Sequence, residues 1–134
     1  MKTFIFSHKK SLEYHEQLLK KLNFEMFPLV SELKLIENDI NILNEKLQHT
    51  SNDLKSKMSK AISAMIMKTY KSYMDKLLID IDEREQLKKV FYDKIENKKI
   101  EIIDKNKEVF EFKQLEKKEL EKYKYSLNNF NGYF

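Results

Sequence analysis

Cysteine is absent from these 134 residues, and glycine and proline occur once each. Without cysteine there is no disulfide, no thiolate nucleophile and no thiolate ligand for a metal. With one Gly and one Pro, the chain has almost nothing that shapes tight turns or stops helices. That scarcity argues against an all-β or doubly wound fold and leaves a few long elements. No apolar run approaches the roughly 20 residues that span a bilayer. The opening MKTFIFSHKK carries an apolar run too short for a signal-peptide core, so a cytoplasmic location is expected.

What is present is charge. Asp, Glu, Lys and Arg make up 36% of the chain, and 26 basic residues stand against 22 acidic ones for a net +4. Over most of the sequence the signs alternate, whereas nucleic-acid binding gathers positive charge on one face. Charges interspersed with Leu, Ile and Phe are the composition of amphipathic helices.

The strongest pattern lies in the first half. Steps of three and four starting at Leu12 give Leu12, His15, Leu19, Leu22, Met26, Leu29, Leu33, Ile36, Ile40, Leu43, Leu47, Thr50 and Leu54, of which eleven are apolar. This is a heptad seam, and it predicts a helix packed along one narrow stripe against another. Pro28 falls inside the series without shifting its phase. A kinked or locally opened helix is therefore expected, with a restart at Pro28 as the alternative. Residues 48–59 are rich in Ser, Thr, Asn and Asp, which compete with helix through local hydrogen bonds, and are the expected reversal.

A second, looser seam follows: Tyr70, Met74, Leu77, Ile81, then Arg84 and Lys88, then Phe91, Ile95, Ile102, Val109 and Phe112, interrupted by Lys98 and Lys105. A reversal near residue 60 would set Leu47 across from Leu77, Leu43 from Ile81 and Leu33 from Phe91. The expected fold is all-α, an antiparallel two-helix coiled-coil hairpin forming one elongated unit over 1–134. Its first helix covers about 7–54, the reversal about 48–62 and the second helix about 62–125. Residues 126–134, with three Asn and the single Gly, are expected to fray.

Patterns for catalysis fail on spacing. His15 and Glu16 in HEQLL lack the second His four residues on that a helical zinc site needs. Asp80 and Asp82 in DIDERE open like a calcium loop, but Arg84 takes the third ligand position and Glu85 stands where Gly makes the turn. One Gly cannot build a phosphate loop. The expectation is a non-enzyme with no catalytic residue, no metal, no cofactor and no small-molecule substrate.

Recognition has better candidates. Between Asp53 and Asp75 there is no acidic residue, while Lys55, Lys57, Lys60, Lys68 and Lys71 are basic. Met58, Met65, Met67, Tyr70 and Tyr73 in the same stretch form a pliable apolar surface of the kind that grips partner helices. The competing reading is that they close the hairpin while the lysines solvate it. A membrane contact is disfavoured, because Asp75, Asp80, Asp82, Glu83 and Glu85 follow at once. Two helices cannot enclose a core, so Tyr92, Ile103 and Phe110, which lie off the seam, should stay exposed unless a partner covers them.

Three stretches resemble the flagellar FliJ family, the small stalk protein of the flagellar type III export apparatus. They are FIFSHKKSLEYHE with Phe4, Phe6, Leu12 and Glu16, then YKSYMDKLLIDI opening the second helix, and KQLEKKELEKY over 113–123. The resemblance covers nearly the whole chain. It implies an adaptor that inserts one end into the hexameric export ATPase and contacts the export gate membrane protein and export chaperones, at the cytoplasmic face of the inner membrane. By that resemblance Lys113, Leu115, Glu116 and Lys117 belong to the ATPase end. No nucleic acid is expected as a partner. The alternatives are a structural coiled coil that self-associates, and a nucleic-acid binder acting through residues 55–71.

Overall fold

The computed structural model describes residues 3–132. The fold is all-α: helix α1 (Lys9–Met58) and helix α2 (Ala64–Gly132) pack against each other as a two-helix hairpin. Every one of the thirteen seam positions from Leu12 to Leu54 is buried or half-buried. The apolar stripe thus decides which face of α1 turns inward, as heptad spacing requires.

Several boundaries differ from those the sequence suggests. The reversal is confined to residues 59–63, and the whole polar stretch before it stays helical. The competing side chains bond within the helix instead of opening it. Thr50 Oγ1 donates to the Lys46 carbonyl at 2.7 Å, and Gln48 Nε2 donates to Asn52 Oδ1 at 3.2 Å. Leu54, buried on the seam, holds that last stretch of α1 in place. In the absence of glycine, Ala61 takes the left-handed conformation at φ 58° that makes the turn, at a steric cost its Cβ imposes. Ser63 then caps α2, its Oγ accepting from the Ile66 N–H at 3.2 Å.

The expected frayed tail is helical through Gly132; residues 133 and 134 lie outside the described residues. No Pro or Gly interrupts α2 before Gly132, the residue type that commonly ends a helix. There is no restart at Pro28 either. It lies on the exposed side of α1, where water can serve the carbonyl its missing N–H leaves without a partner.

Contacts divide the chain into two compact units, one containing residues up to Met26 and from Glu96 onward, the other Phe27–Ile95. In the first, Phe6, Leu12 and Val109 form a small core with Phe4, Leu19 and Phe112 packed against it. The segment before α1 lies along α2. Phe4 meets Tyr123 at 5.5 Å between ring centroids, and Ser7 Oγ donates to Glu119 Oε1 at 3.0 Å. In the second unit, Ile36, Ile40, Leu54, Leu77 and Ile95 are the buried apolar side chains. Asp39 meets Arg84 at 4.0 Å and Tyr70 donates to Asp53 at 2.6 Å. Both pairs set a register within one residue of Leu47 across from Leu77.

Candidate functional site

The polar residues that interrupt the second seam are not gaps in the packing. In the first unit Lys98 Nζ donates to Glu25 of α1 at 2.7 Å and to Glu101, one turn on, at 3.4 Å. One heptad further along α2, Lys105 Nζ donates to Glu108 at 2.8 Å and lies 3.2 Å from His15 Nδ1. His15 Nδ1 is 3.1 Å from Glu108 Oε2, and its ring stacks on Phe112 at 5.2 Å. Each lysine keeps its stem in the half-buried seam and carries its ammonium to the rim, where carboxylates meet it. Among the described residues no buried side-chain polar atom lacks a partner.

The pairs bias protonation in a definite direction. The hydrogen bond from Lys98 holds the Glu25 carboxyl below the ordinary glutamate range, and the bond from Lys105 does the same to Glu108. Lys98 is raised in turn, chiefly by its bond to Glu25. A carboxylate whose folded value is depressed adds stability that is present above its unfolded value and lost as pH falls through the folded one. A raised lysine adds stability that is complete below about pH 10.4 and lost only above it. These groups therefore weaken the fold at both extremes, not near neutrality. In urea titrations across a pH series, the unfolding midpoint should fall on acidification below about pH 4, and Glu25→Gln should flatten part of that decline. An acid limb unchanged in Glu25→Gln would remove this pair from the account.

The outer faces leave apolar side chains exposed. In the first unit, Leu19 of α1 with Ile103, Asn106, Lys107, Val109, Phe110 and Lys113 of α2 line an open groove. Phe110 is 60% exposed and Ile103 52%, so the groove is apolar along its floor and cationic at Lys107 and Lys113. Of the residues assigned by family resemblance, Lys113 lines this groove; Lys113 and Lys117 are exposed, Leu115 is marginally so and off their face, and Glu116 is half-buried. The spacing of the sequence had isolated Phe110 and Ile103 without showing that Leu19 and the two lysines share their groove.

At the reversal, Met58, Met65 and Tyr73 are exposed, whereas Met67 and Tyr70 are half-buried. Tyr70 is a fastener: its hydroxyl donates to Asp53, and Lys57 Nζ lies 5.1 Å from its ring centroid. The bond from Tyr70 draws the Asp53 carboxyl below its ordinary value. Among the described residues no three His, Asp or Glu side chains converge as metal ligands would. The seam residues Leu19, Leu22, Leu33, Ile36, Ile40, Leu43, Leu47, Leu77, Ile81 and Phe91 are all buried or half-buried, and so are occupied with packing. Comparison with protein-family models, with curated proteins and with solved structures finds no match to this chain.

Proposed function

We propose that this chain is a non-enzymatic coiled-coil adaptor, acting as the stalk of a flagellar type III export ATPase, where it promotes ring assembly and couples the ring to the export gate and to export chaperones. The observation that carries this reading is the groove of Leu19, Ile103 and Phe110 edged by Lys107 and Lys113. It lies beside the 113–123 stretch that resembles the family's ATPase end, and it offers exposed apolar area that two helices cannot cover by themselves. A two-helix cross-section of roughly 10 by 20 Å suits the central hole of a ring. Rim charges of both signs allow contacts that form and break quickly. The protein would then work in the cytoplasm, at the inner face of the membrane that holds the gate.

Added to its cognate export ATPase, the chain should raise turnover by promoting the ring form. Ile103→Asp with Phe110→Asp, both exposed and outside the seam, should leave helicity intact and lower the affinity for the ATPase by about tenfold or more. Absence of stimulation and of binding at physiological salt would overturn the reading.

A further inference from the structure

The end of the hairpin at residues 59–63 gathers features that the adaptor reading does not use. Between Glu45 and Asp75 the chain has six lysines, Lys46, Lys55, Lys57, Lys60, Lys68 and Lys71, against the single acid Asp53. Asp53 is engaged by the Tyr70 hydroxyl at 2.6 Å and lies 3.9 Å from Lys57 Nζ. The acids that follow in sequence are remote in space. Asp75 stands twelve residues up α2 from Ser63, about 18 Å at 1.5 Å per residue, and Glu45 stands a similar distance up α1 from Met58. At physiological salt the screening length is about 8 Å, so neither cancels the charge of Lys55, Lys57, Lys60 and Lys68, whereas Lys46 adjoins Glu45 and Lys71 has Asp75 one turn on. Asp80 to Glu85 follow closely in sequence, but the helix carries them about 25 Å or more from Ser63.

Apolar side chains project from the same end. Met65 is 79% exposed, Met58 51% and Ile66 45%, all within one turn of the reversal. From residue 55 to 66 every residue but Ile62 is exposed. We propose that this end is a docking surface for an anionic lipid bilayer, with Met58, Met65 and Ile66 entering the interface and Lys55, Lys60 and Lys68 resting on the headgroups. A bilayer supplies both halves of the match, negative charge for the lysines and an interface that admits apolar side chains. Nucleic acid fits less well. The segment has no Arg to grip phosphates in a fork, and its first aromatic, Tyr70, is already tied to Asp53 and Lys57, which leaves Tyr73, ten residues beyond Ser63, as its one exposed tyrosine ring.

The test is co-sedimentation of the full chain with vesicles. Phosphatidylcholine with phosphatidylglycerol in a two-to-one ratio should retain the protein at low salt and release it as salt rises, and phosphatidylcholine alone should not retain it. Each lysine lost should weaken partitioning roughly fivefold, so Lys55→Glu, Lys60→Glu and Lys68→Glu together should lower it more than a hundredfold. Met65→Ser with Ile66→Ser, which leaves the charge unchanged, should weaken it about tenfold. All these positions are exposed, and circular dichroism confirms that each variant stays helical before it is scored. Equal retention on the neutral vesicles, no retention on the anionic ones, or tighter binding to duplex DNA or polyglutamate at the same salt would each overturn the proposal. The export ATPase takes no part in this assay, and Phe110→Asp should bind vesicles as the parent does. Failure here therefore leaves the adaptor reading standing, and the reverse holds as well.

Discussion

Ile36→Ala should lower the free energy of unfolding by about 3 kcal/mol, whereas Leu35→Ala, one residue away, should change it by less than about 0.5 kcal/mol. The contrast follows from position alone. Ile36 is 1% exposed, the most completely buried large side chain among the described residues, and Leu35 is 59% exposed on the same turn. Truncating Ile36 removes three buried carbons and leaves space that two helices can close only in part. Better helix propensity returns a few tenths of a kcal/mol, which does not reverse the sign. Leu and Ala differ little in helix propensity, and the Leu35 side chain is already in water. The register of Asp39 and Arg84 sets Leu87 and Lys88 across from Ile36, and both are half-buried. Leu87 offers an apolar side chain, and the stem of Lys88 can cover apolar surface while its ammonium reaches solvent. Urea unfolding followed at the helical dichroism band measures both variants. Equal losses would mean that the seam does not govern which face of α1 is inward.

The seam itself was legible because heptad spacing is a property of the chain's own period, readable without knowing the partner. Leu12 to Leu54 could be followed through Pro28 and through the polar stretch after Gln48. Two kinds of information were harder to read. The first is how a locally ambivalent segment resolves: Thr50 and Asn52 are as able to open a helix as to bond within one, and burial of Leu54 decides between them. The second is the partner of a polar seam residue. Lys98 and Lys105 read as defects, yet each has a glutamate three residues on, Glu101 and Glu108, in a pattern repeated at a spacing of seven. That repeat was the available signal. Glu25 and His15, which complete the arrangement from α1, required the pairing of the two helices to be known.

The outer surface was legible in a different sense. That Tyr92, Ile103 and Phe110 stay exposed follows from counting faces on two helices. Which exposed residues lie together depends on distances through space that the linear order misrepresents. At the reversal, Asp80 follows the lysines closely in sequence but stands about 25 Å up α2 from Ser63. At the groove, Leu19 lies more than eighty residues from Phe110 in sequence and shares a wall with it. The site is therefore less visible than the fold, since surface chemistry carries no period.

Phe6→Ala should have an effect of similar size to Ile36→Ala but of a different character. Phe6 is 4% exposed and sits on Leu12 and Val109, with Phe4, Leu19 and Phe112 around them. In a closed core such a truncation costs about 3 to 5 kcal/mol. Phe6, however, precedes α1, and among the described residues its segment is held by the Lys9 N–H to the Phe6 carbonyl at 3.2 Å, by Ser7 to Glu119, and by the contact of Phe4 with Tyr123. Once the Phe6 ring is gone the segment can leave α2 while the helices stay paired, so the loss cannot exceed the free energy with which the segment docks. That opening uncovers Leu12 and Val109 and should act mainly within the unit they belong to. Hydrogen exchange separates the two cases. Amides around Leu12 and Val109 should lose protection by about a hundredfold, which corresponds to roughly 2.7 kcal/mol, while those around Ile36 and Ile40 keep most of theirs. A uniform loss across both regions would show that the segment and the helices unfold as one. Unchanged protection at Leu12 would mean that Phe6 does not secure this end of the hairpin.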